Sequence, residues 1–324
     1  MAEPGPSRGV FVLAVNPCAG RGRALEDAHR AAELLRTGGD EAVVLSAADL
    51  GTLVGLVRDR LRAHALTTRA LVVVGGDGMV QAGLGVLVEL AAQGVDVPLG
   101  VVPCGTGNDL ARHLRVPLRD PVAAAWRILR RLDDPRDRRL DVGRVRFADG
   151  RTSCFATALC AGFDAVVNER ANGWRWPRGA ARYNLAIARE LPVFRPVPYR
   201  LVLDGEVWET ESLLVAVANT SSYGGGMQIA PDASHTDGLL DVVVVRPVPL
   251  HRFVRLFPQV YAGTHVELDV VEVRRAAVVE VGVDGDGRHP RRIVAYGDGE
   301  RLGSLPRRFE AVAGALAVLT PART

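Results

Sequence analysis

The chain contains no lysine. All 40 of its Lys-plus-Arg positions are arginine. A P-loop nucleotide site needs a lysine beside its glycine-rich turn, and a protein kinase needs one on its third strand, so both are excluded. Cysteine is also scarce. Cys18, Cys104, Cys154 and Cys160 show no C-x-x-C spacing and no histidine in metal-site register, and they read as reduced packing residues of a cytosolic chain. The seven histidines form no spaced cluster, and none is assigned to a metal. No stretch approaches the roughly 20 apolar residues of a membrane span, and the polar segment Met1–Gly9 lacks the apolar core of a signal peptide. A net charge of +3 gives no reason to expect a nucleic-acid partner.

What remains is a composition suited to packed domains: 48% hydrophobic and 24% charged over 324 residues, enough for two of ordinary size. The first part alternates strand-like and helix-like patterns: strand Val10–Val15, helix Ala24–Arg36, strand Ala42–Leu45, helix Leu50–His64, strand Ala70–Val74, helix Met79–Gln93 and strand Val97–Val102. Such alternation predicts a doubly wound parallel sheet with helices on both faces, and ligands at the carboxyl ends of its strands. A helix over Pro121–Leu132 and a charged linker over Asp133–Arg139 follow. From Leu140 the short strands Val142–Phe147, Thr152–Leu159, Tyr199–Leu203, Leu213–Ala218, Leu240–Val245 and Ala277–Val283, with turns at Asp149-Gly150 and Asp204-Gly205, predict an antiparallel β-sandwich, interrupted by helical insertions at Asp164–Leu191 and Leu250–Ala262. The apolar run Ala313–Leu319 is expected to return to the first domain. The expected domains are therefore residues 1–138 with 306–324, α/β and nucleotide-binding, and residues 139–305, β-rich.

Two glycine corners organise the first domain. Leu71–Val74 ends at Gly75-Gly76-Asp77-Gly78 before a helical pattern, and Val97–Val102 leads through Pro103-Cys104 to Gly105-Thr106-Gly107-Asn108-Asp109 before another. Glycines there let the backbone approach a phosphate, and the helix start offers free N–H groups. An aspartate at such a corner makes sense with a divalent cation between it and the phosphates. This reads as a site for a magnesium-bound nucleoside triphosphate. With no lysine, backbone N–H groups and Arg21, Arg23 or Arg112 must bind the phosphates.

Together with Asn16-Pro17-x-x-Gly20, the strings Gly75-Gly-Asp-Gly78 and Gly105-Thr-Gly-Asn-Asp-Leu-Ala-Arg112 resemble the nucleotide-site motifs of the diacylglycerol kinase catalytic-domain family. Tyr223-Gly-Gly-Gly-Met-Gln-Ile-Ala-Pro231, Asp237-Gly-Leu-Leu-Asp241 and Asp298-Gly-Glu300 are similar to its downstream motifs, in the same order. The resemblance implies ATP and Mg²⁺ as cofactors and a nucleotide site formed by Asn16, Pro17, Cys18, Ala19, Gly20, Ser46, Gly75, Gly76, Asp77, Gly78, Met79, Gly105, Thr106 and Asn108. It implies Glu300 as the proton acceptor for a lipid hydroxyl, supported by Asp298. Asp77, Asp109 and Asp141 would surround the catalytic Mg²⁺. A second, structural Mg²⁺ would take Asp237 with backbone oxygens of Ser234 and Leu239.

The chain departs from the family at Met79, where threonine is usual, at Gln81-Ala82 for Asn-Glu, and at Ala19 for serine. The activity implied is phosphorylation of diacylglycerol or a related lipid. A sphingosine- or ceramide-type kinase, a soluble-alcohol kinase and a non-catalytic nucleotide- or lipid-binding protein are the alternatives. A lipid acceptor implies a cytoplasmic protein that meets a membrane surface. Trp174, Trp176 and Tyr183 among Arg175, Arg178 and Arg182 suit a headgroup layer, and equally suit packing on the second domain. Many relatives pair, so a homodimer is an open expectation.

Overall fold

The computed structural model describes residues 9–132, 139–147, 152–174, 176, 180–283, 293–305 and 307–319. Contacts divide the chain into two units, one of residues up to Asp141 together with those from Gly314 on, the other Val142–Ala313. These changeovers fall inside two strands that run through them, Arg139–Arg146 and Arg307–Ala317, three and eight residues beyond the boundaries expected at 138 and 306.

In the first unit, β1 (Val10–Val15), β2 (Glu41–Ser46), β3 (Thr68–Gly75) and β4 (Leu99–Pro103) form a parallel sheet in the order β2-β1-β3-β4. β1 and β4 are buried throughout and β3 from Ala70 on, as near-continuous apolar runs of parallel sheets should be. The connecting helices are α1 (Ala24–Arg36), α2 (Leu50–Ala63), α3 (Asp77–Ala91), the short α4 (Asp109–His113) and α5 (Pro121–Leu132). Neighbouring residues of β3 point to opposite faces. Val73 meets Gly83 of α3, where a Cβ would stand 2.6 Å from its methyl carbon. Val72 lies on the α5 side, with Ile128 against Gly100. α1 packs with α5 and α2 with α3, so each face of the sheet has its helix pair. Asp49 caps α2, its carboxylate accepting the Thr52 N–H at 2.8 Å. The chain end adds to this sheet: Val318 bridges Leu99 in parallel, and the Leu319 N–H donates to the Leu99 carbonyl at 2.8 Å.

The second unit holds two six-stranded sheets. One runs β12-β11-β10-β7-β14-β15 and the other β6-β5-β16-β13-β8-β9. The strands are β5 (Arg139–Arg146), β6 (Thr152–Phe155), β7 (Ala158–Gly162), β8 (Val197–Leu203), β9 (Glu206–Ser212), β10 (Leu214–Ala218), β11 (Leu240–Val245), β12 (Val271–Ala276), β13 (Val278–Val283), β14 (Val294–Gly297), β15 (Glu300–Ser304) and β16 (Arg307–Ala317). Phe155, Leu159, Tyr199, Val215, Val217, Val242, Val279 and Phe309 form one core with contributions from both sheets, which makes the pair a sandwich. The alternation is plain in β10. Val215 and Val217 enter that core, while Ala216 and Ala218 face a second cluster with Ile229, Ala230 and Val260. Helices α6 (Phe163–Gly173), α7 (Ala180–Glu190), α8 (Leu250–Leu256) and α9 (Gln259–Ala262) lie outside the sheets.

Three local expectations change. The single strand expected over Thr152–Leu159 breaks at Ala156-Thr157, whose N–H groups are held by the Asp298 carboxylate at 2.7 and 3.0 Å. Each helical insertion is a pair of helices, with Pro258 ending the second α8 turn. β9, β12, β14 and β15 are strands beyond those expected; β9, rich in glutamate, is the polar edge of its sheet. The expected turn at Asp149-Gly150 lies outside the described residues.

Candidate active site

Parallel register brings the site loops of the first unit to one sheet edge. Ser46 pairs with Val15, Val15 with Val74, and Val74 with Val102, so the carboxyl ends of all four strands form a row. The segments that leave this row are Asn16–Gly20, Gly76–Gly78 and Cys104–Asn108.

The two glycine corners interlock. A Cβ on Gly105 would stand 2.3 Å from the Cα of Gly76, and one on Gly107 would stand 2.4 Å from an Asp77 oxygen. The glycines are therefore required first for loop to meet loop, a use that the sequence reading assigned to phosphate approach. Asp77 ties the corners together. Its carboxylate accepts the Asn108 N–H at 2.8 Å and the Asp109 N–H at 2.7 Å, taking up two free donors at the start of α4. Asn108 is left-handed at φ 55, a conformation asparagine tolerates. Its amide closes a ring with Gly105, accepting that N–H at 3.0 Å and donating to that carbonyl at 2.9 Å. Arg112 donates from Nε to the Gly107 carbonyl at 2.8 Å, which fixes its guanidinium beside the same loop.

Asn16–Gly20 adjoins this pair. Asn16 accepts the Cys18 N–H through its side chain at 2.9 Å, and a Cβ on Gly20, at φ 58, would lie 3.3 Å from the Cys104 carbonyl. Pro17 and Ala19 are half-buried, whereas Cys18, Ser46 and Thr106 are exposed. Cys104 is no reactive thiolate, because burial and then Asp27 push its thiol up to about 11. Met79 is buried. It packs under Gly75 and lines a small apolar crevice with Leu53, Val57 and Val86, so the departure at this position adds core rather than a phosphate ligand.

In the second unit, Asp298 is a structural acceptor. It takes N–H bonds from Ala156 and Thr157 and a short hydroxyl bond from Thr157, and so pins the β14–β15 turn against the β6–β7 break. Glu300 opens β15, its backbone paired with Gly297; its side chain lies outside the described part. Thr157 and the buried Asn219, which donates to the Ala156 carbonyl at 2.8 Å, complete this corner. The sequence reading missed both, although the polar Thr157 inside an apolar run was a signal. Burial raises the Asp164 carboxyl, against hydrogen bonds from the Cys160 thiol and the Tyr223 hydroxyl. Trp174 packs with Phe163 and Val167 among the outer helices, whereas Trp176 is exposed. Arg175, Arg178 and the Tyr183 side chain lie outside the described part.

The residues expected around metals are not gathered into one cage. Among the described residues no group of three or more His, Cys, Asp or Glu side chains is placed to hold a metal ion. Asp141 is buried and accepts the Gly314 N–H at 2.6 Å. Asp77 and Asp109 do flank one glycine, since a Cβ on Gly107 would lie 3.6 Å from an Asp109 oxygen. Each Asp77 oxygen accepts one N–H and keeps a further lone pair. Mg²⁺ is usually held by one or two carboxylates, with waters and substrate phosphates completing its shell, so this donor set fits it. At the other expected site, Asp237 accepts the Leu239 N–H at 3.0 Å and closes the turn that would present carbonyl oxygens. The neighbouring Asp241 is buried and paired with Arg275 at 3.0 Å. Burial still raises its carboxyl, against that pairing.

The chain thus joins a parallel-sheet unit with interlocked glycine corners to an antiparallel sandwich, the two-domain arrangement that the comparisons with known proteins assign to lipid kinases. Residues 10–145 match the diacylglycerol kinase catalytic domain, and residues 157–320 match the YegS C-terminal NAD kinase beta sandwich-like domain. The chain belongs to the diacylglycerol kinase and YegS-like lipid kinase family. It is 40% identical over 314 residues to a diacylglycerol kinase of Mycobacterium tuberculosis strain H37Rv, covering 97% of this chain and 96% of that one. It is 28% identical over 240 residues to a diacylglycerol kinase of Bacillus subtilis strain 168, covering 74% and 73%. In fold it is similar to the crystal structure of a diacylglycerol kinase from Bacillus anthracis, with a TM-score of 0.74 at 22% identity over 98% of both chains. No helix among the described residues is long and apolar enough to cross a membrane.

Proposed function

We propose that this protein transfers the γ-phosphoryl group of ATP to the free hydroxyl of diacylglycerol in a Mg²⁺-dependent reaction. The observation that carries this reading is the end-to-end similarity to a relative named diacylglycerol kinase, with 40% identity over 97% of the chain. Asp77 and Asp109, with Asp141 linked through water, would hold the metal. Bound there, it would neutralise charge on the phosphate oxygens. Phosphoryl transfer asks for positioning and charge neutralisation more than covalent chemistry, which suits a site with no lysine. The N–H groups of the glycine corners and the first turn of α3 would bind the triphosphate, with Arg112 beside them. Asn16–Gly20, Ser46, Met79 and Thr106 would border the nucleotide.

Glu300 would accept the proton of the lipid hydroxyl as its oxygen bonds to the γ-phosphorus and the bond to ADP breaks. Asp298 contributes by position: its carboxylate fixes the turn from which Glu300 extends. Turnover of labelled ATP over diacylglycerol, sphingosine, ceramide, phosphatidylglycerol and a soluble alcohol tests the proposal. Labelled phosphatidic acid as the main product supports it. Product from sphingosine or from a soluble alcohol alone moves the acceptor class, and binding without any product refutes catalysis.

A further inference from the structure

The outer helices of the second unit present a surface that holds none of the residues assigned above to phosphoryl transfer. Phe163 at the start of α6 is a common inner ring: Phe194, in the turn after α7, meets it edge-on at 5.5 Å, and Phe253 of α8 meets it at 5.6 Å. That turn and α8 therefore lie side by side. The turn is anchored on α7, since the Val193 and Phe194 N–H groups both donate to the Glu190 carbonyl. The residues next to the inward phenylalanines point out: Val193 is 60% exposed and Val254 57%. The aromatic row continues through Phe257 to Tyr261, which is 54% exposed.

The exposed charge carried by the end of α7, its following turn and α8 is arginine, with Arg252 of α8 paired to the exposed Asp269 of a neighbouring loop. Arg189, Arg195 and Arg255 are exposed and have no ion-pair partner among the described residues. The one acid of α7, Glu190, is buried and paired with Arg170, and α8 has no acid. Exposed apolar side chains flanked in the chain by exposed arginines match a layer of phosphate groups over hydrocarbon.

We propose that this surface docks the protein on bilayers of anionic phospholipid. Val193, Val254 and Tyr261 enter the headgroup layer, and Arg189, Arg195 and Arg255 contact the lipid phosphates. The choice of a bilayer as occupant rests on the lipid-kinase reading, whereas the binding test does not.

The test is co-sedimentation of the full chain with phosphatidylcholine vesicles, with and without phosphatidylglycerol, and no ATP or diacylglycerol present. At about fivefold per arginine near an anionic surface, the variant R189Q/R195Q/R255Q should bind the anionic vesicles about 100-fold more weakly. Its binding to neutral vesicles should be unchanged. V193S/V254S should weaken both. R30Q/R119Q, exposed changes in the first unit, should weaken neither, and a loss there as large as in the triple variant would overturn the proposal. So would unchanged anionic binding in the triple variant with an unchanged melting temperature. If V193S/V254S instead turns a dimer into a monomer and leaves vesicle binding intact, the face is a self-interface and the proposal fails. Loss of vesicle binding in a protein that makes no phosphatidic acid would support the surface and refute the kinase reading alone.

Discussion

Replacing Asp77 with alanine removes the acceptor of two backbone N–H groups, at 2.8 and 2.7 Å, and exposes how the second glycine corner is held. A hydrogen bond to a charged acceptor contributes about 1.5–3 kcal/mol. The two are not additive, and Asp77 is only half-buried, so the expected cost is about 2–4 kcal/mol of local stability. Asn108 and Asp109 are both buried, so the freed donors find little water to replace the carboxylate. At a factor of ten per 1.4 kcal/mol, amide exchange over Gly105–His113 should accelerate roughly 30- to 1000-fold. The assay is hydrogen exchange with mass spectrometry on the nucleotide- and metal-free protein, so ligand binding cannot contribute. Asp77→Asn, which keeps one oxygen acceptor but no charge, should fall between. Unchanged exchange in Asp77→Ala would refute the claim that this carboxylate joins the corners. The geometry therefore predicts a local structural cost for Asp77→Ala in addition to any loss of activity.

Gly105→Ala brings a Cβ to 2.3 Å from backbone at Gly76, so the corners must part. A loss of about 1–3 kcal/mol in denaturant unfolding and weaker ATP binding are expected, and an unchanged midpoint with unchanged affinity would contradict the interlock. Alkylation with iodoacetamide at neutral pH should label the exposed Cys18 first, while Cys104 and Cys154, both pushed to about 11 chiefly by burial, react slowly. Mg-ATP should protect Cys18; equal labelling with and without nucleotide would remove that loop from the site. His265 is buried against the Ile229 carbonyl, and burial lowers its pKa. The unfolded chain then takes up a proton near the ordinary value of about 6.5 while the folded one resists, so stability falls as pH drops below it, by at most about 1.4 kcal/mol per pH unit. His265→Gln should flatten that slope in melts across pH, and an unaltered slope would assign the acid sensitivity elsewhere.

The parallel-sheet unit was legible because its strands are unbroken apolar runs and its helices carry periodic stripes, as in Pro121, Ala124, Ala125 and Ile128 of α5. The sandwich was legible in outline through its alternation and its Asp-Gly turns. Polar edge strands such as β9 were not, since nothing apolar marks them. The residues of the glycine corners were legible too, but not the role of their glycines, because a contact between two loops 30 residues apart leaves no local signature. The strand break at Thr157 was hidden for the same reason: its cause, Asp298, lies far along the chain.

The central claim is that a carboxylate at Glu300 takes the proton of a lipid alcohol while the glycine corners hold ATP. The measurement that tests it most directly is turnover of labelled ATP on diacylglycerol by the wild type and by Glu300→Gln, with ATP affinity determined for both. Labelled phosphatidic acid is expected from the wild type, and a loss of about 10²–10⁴-fold in Glu300→Gln with ATP affinity unchanged. Phosphatidic acid formed at equal rates by both proteins would contradict it.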